Sequence, residues 1–490
     1  MLRFFSRYKF YRTLVVLSVA LAALFVAYPA KAQQSSAAIN GTVTDATGAV
    51  VPGATVTLSS AGTGISRSTQ SNGAGIYSFI DVLPATYTMK VTKEGFNTLS
   101  EPEFVMQVNQ TATYDFRLKV GSTQQTVEVE AAAVAIQAST SELGTVINEE
   151  SVRDLPLNGR NFTQLLTLTP GASPVSVAQN SGGGGGFAGN AIGSFSFPAL
   201  NGQRNRSNMF LEDGVIDLGS FIGNYNVSPI IDTVQEFKVQ SENEAEFGQA
   251  VGGIVNVVTK SGTNQYHGSA WEFLRNSDLD ANNFFSNLLG DQRNALKQNQ
   301  FGVAVGGPLS IPKLYNGKNR TFFYGGYEGY RQVVASQSTG LAPTAAQIGG
   351  NFQGFNTIYD PTTGSPFPNN TIPANRINPI AAAYAGVNYP TGPYVSSGNN
   401  YIDNSATRLK DDTYSIRVDQ TFGEHDSLFA RVSQYWEPQT GSLGYAGATN
   451  FANVYGSNGV IHEVHTFSPT AVMDAFSDAI RVRQIPAIAH

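Results

Sequence analysis

Two clusters in this chain have residue types that could bind a metal. His462-Glu463-Val464-His465 places two imidazoles and a carboxylate side by side. A hydrolytic zinc site needs its histidines on one face, which helical His-Glu-x-x-His spacing supplies. In a β-rich stretch the i, i+3 spacing sends the two rings to opposite faces, so they are expected to diverge. Asp278, Asp280 and Asn282 open like a calcium loop. Its sixth position is Asn283 rather than glycine and its twelfth is Leu289 rather than glutamate, so a solvated loop is expected. Ser181–Gly186 contains a run of glycines with no Gly-Lys-Ser/Thr after it, which reads as a flexible loop and not a phosphate cradle. No Ser-His-Asp order, paired-acid motif or dinucleotide fingerprint stands out. With 0 cysteines there is neither thiol chemistry nor a disulfide frame. The expectation is a protein that is not an enzyme and carries neither metal nor cofactor.

The elements that would position any site are β-strands. The organising stretch is Pro229–Trp271. Two runs rich in Val, Ile, Phe and Thr, Val234–Gln240 and Ile254–Lys260, flank an acidic, Gly-containing connection, Ser241–Gly253. Gly252 and Gly253 remove two Cβ atoms just before the second run, which suits close approach of backbone to backbone. Upstream lie Asn201-Gly202-Gln203-Arg204 and Phe210-Leu211-Glu212-Asp213-Gly214-Val215. Together with Phe247-Gly248 and the run Gly252-Gly253-Ile254-Val255-Asn256-Val257-Val258-Thr259-Lys260-Ser261-Gly262, these resemble the plug domain of TonB-dependent outer-membrane receptors.

Ahead of this unit, Met1–Arg12 carries four positive charges, Thr13–Val26 is apolar, and Ala30-Lys31-Ala32 precedes Gln33. These are the three parts of a cleaved secretory signal peptide, residues 1–32, and the apolar run is shorter than a bilayer span. The whole chain has a net charge of −6; removing the leader's Arg3, Arg7, Lys9, Arg12 and Lys31 takes it to −11. An acidic mature chain argues against a nucleic-acid partner. The 50 Gly, 21 Tyr and 30 Phe suit short strands and polar loops.

Residues 33–119 read as a self-contained β-sandwich. Thr55–Leu58, Tyr77–Ile80, Tyr87–Val91 and Ala112–Leu118 are its strands, and Tyr77 is a core residue. The pattern Gly41-Thr42-Val43-Thr44-Asp45, Val51-Pro52-Gly53-Ala54, Tyr77, Phe79 and Gly95-Phe96 resembles the carboxypeptidase regulatory-like domain, which implies a transthyretin-like fold. No peptidase activity follows, since the segment lacks histidine. Residues 120–138 form a linker in which Thr126, Val127, Glu128 and Val129 resemble the TonB box. Such an extended segment can add its backbone to a partner's sheet edge.

Residues 139–264 are the plug candidate, mixed α+β, with one short helix around Phe162, Leu165 and Leu166 stopped by Pro170-Gly171. Its motif residues are Asn201, Gly202, Arg204, Asp213, Gly214, Gly252, Gly253, Asn256, Thr259 and Lys260. Residues 265–490 alternate as strands. Tyr414, Ile416, Val418 and Phe422 fall on one face, with Thr413, Ser415, Arg417, Asp419 and Thr421 on the other. Leu428, Ala430 and Val432 likewise oppose Phe429, Arg431, Ser433 and Tyr435, a lipid-out, lumen-in pattern. Gln332–Leu409 reads as a long irregular insertion of the extracellular kind.

In all, the fold class is mainly β: sandwich, mixed plug, then the first strands of an outer-membrane β-barrel. The order resembles Oar-like TonB-dependent receptors. The resemblance implies residence in outer-membrane lipid, TonB as partner and import of a solute, with carbohydrate and peptide the classes considered. The alternative is a secreted or surface-attached β-sandwich protein for carbohydrate binding or adhesion. The count predicts six or seven wall strands, where the resembled family closes with about 22. Val472–His490, containing Pro486 and lacking a terminal aromatic, reads as breaking the strand pattern. The expectation is a truncated or frameshifted receptor.

Overall fold

The structure is a computed structural model. It describes residues 36–121, 126–128, 144–173, 198–203, 207–218, 225–240, 252–290, 292–335, 338–388, 400–403, 406–442, 449–468 and 471–489. The signal segment, the glycine run, Val129, Arg204 and Phe247-Gly248 lie outside these residues.

The first unit is a sandwich of two sheets. Its strands are β1 (Ala37–Asp45), β2 (Thr55–Ser60), β3 (Ser66–Gln70), β4 (Ile76–Val82), β5 (Ala85–Thr92), β6 (Thr98–Met106), β7 (Thr111–Thr113) and β8 (Phe116–Leu118). One sheet orders β4-β1-β7, with β8 also on β1; the other orders β3-β2-β5-β6 and adds β9 (Thr126–Glu128) beyond β6. Alternate residues of β1, β2, β4 and β5 point inward and build one core around Ile39, Val56, Tyr77, Met89 and Phe116. Tyr77 is fully buried, as expected, and its hydroxyl donates to the Tyr114 carbonyl at 2.7 Å.

The run expected as one strand, Ala112–Leu118, is broken in two. Both halves pair parallel to β1, and the break at Tyr114-Asp115 lies opposite Gly41-Thr42. A Cβ on Gly41 would sit 1.8 Å from the Tyr114 carbonyl oxygen, so only glycine admits the crossing there. The Asp115 carboxylate accepts the Thr42 N–H and hydroxyl, both at 2.8 Å.

The second unit is mixed. β10 (Gly144–Ile147), β13 (Met209–Glu212), β14 (Val215–Ile216), β15 (Val234–Gln240) and β16 (Ile254–Thr259) form a sheet ordered β10-β15-β16-β13-β14. A two-stranded ribbon, β11 (Ala172–Ser173) with β12 (Ala199–Leu200), lies beside it. The absence of apolar–polar alternation in Ile254–Thr259 has a simple cause: every residue of β16 is buried, Asn256 and Thr259 included. The expected short helix is a 3-10 segment, Phe162–Leu168, that packs Phe162, Leu165 and Leu166 against Phe237, Val239, Val255 and Val257.

The third unit, the wall, is one antiparallel sheet of seven strands. In order they are β17 (His267–Asn276), β18 (Ala295–Pro308), β19 (Thr321–Ala335), β22 (Ala406–Thr421), β23 (Asp426–Ser442), β24 (Thr449–Ser468) and β25 (Ala471–Ala489), and the count agrees with expectation. The faces divide as the alternation required: Thr413, Ser415, Arg417, Arg431 and Ser433 are buried, while Tyr414, Ile416 and Val432 are exposed. Two expectations are corrected here. The strands β19 and β22 run on into the supposed insertion, which narrows to 336–405 and contains the ribbon β20 (Ser338–Gly340) with β21 (Tyr401–Asp403) and short helices. Val472–His490 was expected to break the pattern, yet Ala471–Ala489 is a strand paired along the whole of β24. β25 pairs on one flank only among the described residues, which is where Pro486 is admitted, and its faces both mix apolar with charged residues, so alternation did not reveal it.

Candidate functional site: an ionic clasp between the mixed unit and the wall

Glu212-Asp213-Gly214-Val215 closes the hairpin between β13 and β14. Asp213 and Gly214 both have positive φ, 52° and 80°, as a two-residue type I′ turn requires. This turn pushes the Asp213 carboxylate out of the mixed unit toward the wall. β13 runs parallel to β16, so the end of β16 meets the same turn. The Thr259 N–H and hydroxyl both donate to Asp213, at 2.8 and 2.7 Å.

The wall contributes two arginines. Arg417 on β22 and Arg431 on β23 are direct cross-strand partners on the inner face. Like charges so placed repel, unless an acid lies between them. Asp213 is that acid: Arg431 Nε donates to it at 2.6 Å and Arg417 Nη1 at 3.1 Å. The side chains of Arg431, Asp213 and Arg417 are 0, 1 and 3% exposed, so the pairs are screened from solvent. Arg417 also grips Asp419 through Nε and Nη2 and lies 4.1 Å above the Phe429 ring. Arg431 Nη2 donates to the Glu212 carbonyl at 3.1 Å and to Asn458 Oδ1 at 2.8 Å. Asn458 in turn donates to Asp217 at 3.1 Å.

Burial works against ionised Asp213, but Arg417, Arg431 and the Thr259 donors overcome it and hold its pKa below the usual range. Burial raises Glu212 to about 8 and Asp217 to about 7, with Arg431 opposing both shifts. Two guanidiniums therefore face ionised Asp213, while burial favours the protonated forms of Glu212 and Asp217.

A second contact has the reverse polarity. The turn at Gly159-Arg160, both with positive φ, projects Arg160 from the mixed unit. Its guanidinium pairs with Asp232 of its own unit and with Glu328 of β19 at 3.1 Å, over the Trp271 ring. Glu328 also accepts from Gln300 Nε2 at 3.0 Å.

The motif residues expected to work together are only partly gathered. Asp213, Gly214 and Thr259 meet at the clasp. Asn256 faces the sandwich and donates to Asn109 Oδ1 at 3.3 Å. Lys260 pairs with Glu149 at 2.9 Å. Gly252 and Gly253 are packing glycines, whose Cβ atoms would sit 2.4 Å from Asn208 and 2.3 Å from Leu200. Asn201 and Gly202 form a turn with positive φ. Thr126–Glu128 pairs parallel to Thr98–Ser100 on β6. His462 and His465 take separate carboxylates, Asp474 at 2.6 Å and Asp426 at 2.5 Å. Asp278 and Asp280 face arginines, at 3.8 Å to Arg293 and 3.4 Å to Arg275. Arg417 and Arg431 were placed on the inner face but not singled out. The turn Gly423–Asp426 fixes a register that sets them opposite one another, and that juxtaposition was the available signal.

Residues 258–487 match the family described as outer membrane beta barrel domain, and residues 38–119 that described as carboxypeptidase regulatory-like domain. The chain thus carries an outer-membrane β-barrel domain behind an N-terminal carboxypeptidase regulatory-like domain. It is a homologue of the TonB-dependent transporter Oar of Myxococcus xanthus, 24% identical over 304 residues, or 59% of this chain and 27% of that relative. Among solved structures it is similar to the siderophore receptor PirA from Acinetobacter baumannii, at 13% identity and a TM-score of 0.34, over 70% of this chain and 44% of the other. It is also similar to the ferric enterobactin receptor PfeA from Pseudomonas aeruginosa, at 12% identity and a TM-score of 0.32, over 66% and 40%.

Proposed function

We propose that the chain serves as a TonB-dependent receptor that imports a solute across the outer membrane. The mixed unit is its plug, and Thr126–Val129 is the segment taken by TonB. The observation that carries this reading is the clasp: a separate α+β unit held against the inner face of an outer-membrane wall by one carboxylate shared between two wall arginines. Such a contact closes a passage and is broken by displacement rather than by unfolding of the wall. The short connection at Phe422–His425 and the sandwich lie at one end of the wall, while 277–290 and 338–388 lie at the other, an arrangement suited to periplasmic turns and extracellular loops. Thr126–Glu128 is an outer strand of its sheet, with one flank free of ladder partners among the described residues. A partner can add its own strand there. Solute specificity is assigned to the extracellular side, for a carbohydrate or a peptide, and no catalytic role is assigned.

Membrane fractionation and TonB capture test this reading. The chain should stay with outer membranes through a carbonate wash, and an immobilised TonB C-terminal domain should retain it from detergent. Val127→Pro should lose that retention, because proline deletes an N–H from the added strand. A carbonate-soluble chain would favour a surface-attached sandwich for carbohydrate binding or adhesion, and unchanged capture of Val127→Pro would move the TonB segment elsewhere.

A further inference from the structure

Beneath the clasp lies a chamber of about 760 Å³ bounded by all three units. Thr259, Arg417 and Asp419 belong both to the clasp and to the chamber lining, so the clasp is its roof. The floor comes from the sandwich, through the β2–β3 turn Ala61–Ile65 and the β4–β5 turn around Leu83-Pro84. The floor is tied to its surroundings by polar contacts instead of a continuous core. Ser427 donates to Asp81 at 3.0 Å. The Asn264 backbone N–H donates to the Gly62 carbonyl at 3.1 Å, and its side chain to the Thr63 carbonyl at 2.5 Å. Farther along, the Val108 N–H donates to Glu236 and Lys238 donates to the Asn109 carbonyl at 3.0 Å. Contacts of this kind separate at less cost than buried apolar surface.

We propose that the sandwich is a second gate. A solute that passes the displaced mixed unit emerges into this chamber, and the sandwich must swing away before it reaches the periplasm. This inference rests on the reading of the mixed unit as a plug. The chamber lies within the size range of small-molecule sites. Several of its charged groups are already engaged: Arg417 with Asp213 and Asp419, Arg67 with the Asp81 carbonyl at 2.9 Å, and His462 with Asp474. The rest of the lining sets apolar Leu58, Val82, Met106, Phe322 and Phe429 beside polar groups such as Ser60, Asn264 and Gln420. That surface fits an uncharged amphipathic molecule.

The absence of cysteine makes the test direct. Ser261→Cys places a single thiol in the chamber lining. Asn287→Cys, on the exposed helix Phe284–Leu289, is the reference. The full chain in detergent micelles, which leave both ends of the wall accessible, is treated with a polymer-linked maleimide too bulky for the chamber. Ser261→Cys should label at least tenfold more slowly than Asn287→Cys. Adding Asp81→Ala with Asn264→Ala should raise labelling at Ser261→Cys at least tenfold and leave Asn287→Cys unchanged. If that double variant does not fold, Lys238→Met, at the other docking point, is read in the same way. Equal rates at the two thiols in the intact chain, or no acceleration once the ties are cut, would overturn the gate. The assay contains no TonB, so loss of TonB capture would contradict the receptor reading without touching this result.

Discussion

Asp213 owes its place to the turn chemistry around it. An Asp-Gly pair is among the strongest short-range hairpin signals, and here its first residue also supplies the carboxylate shared by Arg417 and Arg431. The β-run that ends at Thr259 was legible in the sequence, since it is rich in Val and Ile and follows a glycine pair, whereas Asp213 was marked only by the resemblance of its motif to a plug domain. The wall arginines were not legible, since an inward arginine on an alternating strand looks like any lumen polar residue until register sets it against another. Removing one member of the trio strands the others. Arg431→Met should destabilise the closed arrangement by about 3–5 kcal/mol, the range for breaking a buried pair. A double-mutant cycle on Asp213→Asn and Arg431→Gln, read by thermal unfolding in detergent, should show non-additivity of roughly 1–3 kcal/mol. Proton linkage gives a further check. Glu212 and Asp217 hold protons in the closed form up to about 8 and about 7, but ionise at ordinary carboxylate values once released to water. The released form therefore binds fewer protons in between, so rising pH weakens closure from the carboxylate range up to about 8 and has no further effect above it. The thermal midpoint should fall across that window and then level off, and Glu212→Gln should flatten the upper part of the slope.

At the scale of elements, alternation worked where one face of a strand is wet and failed where both are covered or both are mixed. β22 and β23 showed their faces in the sequence, and so did the sandwich strands. β16 read correctly as a strand from its Val and Ile content, although nothing in its uniform burial could give a direction. β25 was missed because charges fall on both its faces. The β7–β8 break was missed because it depends on Gly41, one position whose need for glycine is set by a strand arriving more than 70 residues later. Gly41→Ala should cost the sandwich on the order of 3 kcal/mol, since the Tyr114 carbonyl or the buried Tyr77 ring must move. Tyr77→Asp should abolish folding of the isolated segment 37–119, because an unpaired carboxylate would enter the core. A cooperative thermal transition in the Asp variant would show that Tyr77 does not anchor that core.

At the scale of the molecule, the order of sandwich, mixed unit and wall was legible, as was the number of wall strands. The docking of the sandwich under the mixed unit was not. Its contacts use Asn109 and Asn264 in loops and Asp81 near the end of β4, whose partners lie far away in sequence and whose types suit any turn. The three units differ in what holds them together: the sandwich by one apolar core, the wall by its ladder, and the join between mixed unit and wall mainly by buried ions and hydrogen bonds around a small apolar contact of Val215 with Phe429 and Val460. That difference is the central claim, and hydrogen exchange across the whole chain tests it most directly. In Asp213→Asn, exchange in β13 and β16 should accelerate at least about tenfold, equivalent to ~1.4 kcal/mol, while the sandwich core and strands β18, β19 and β22 keep their protection. No change in β13 and β16, or equal loosening of the sandwich, would contradict it.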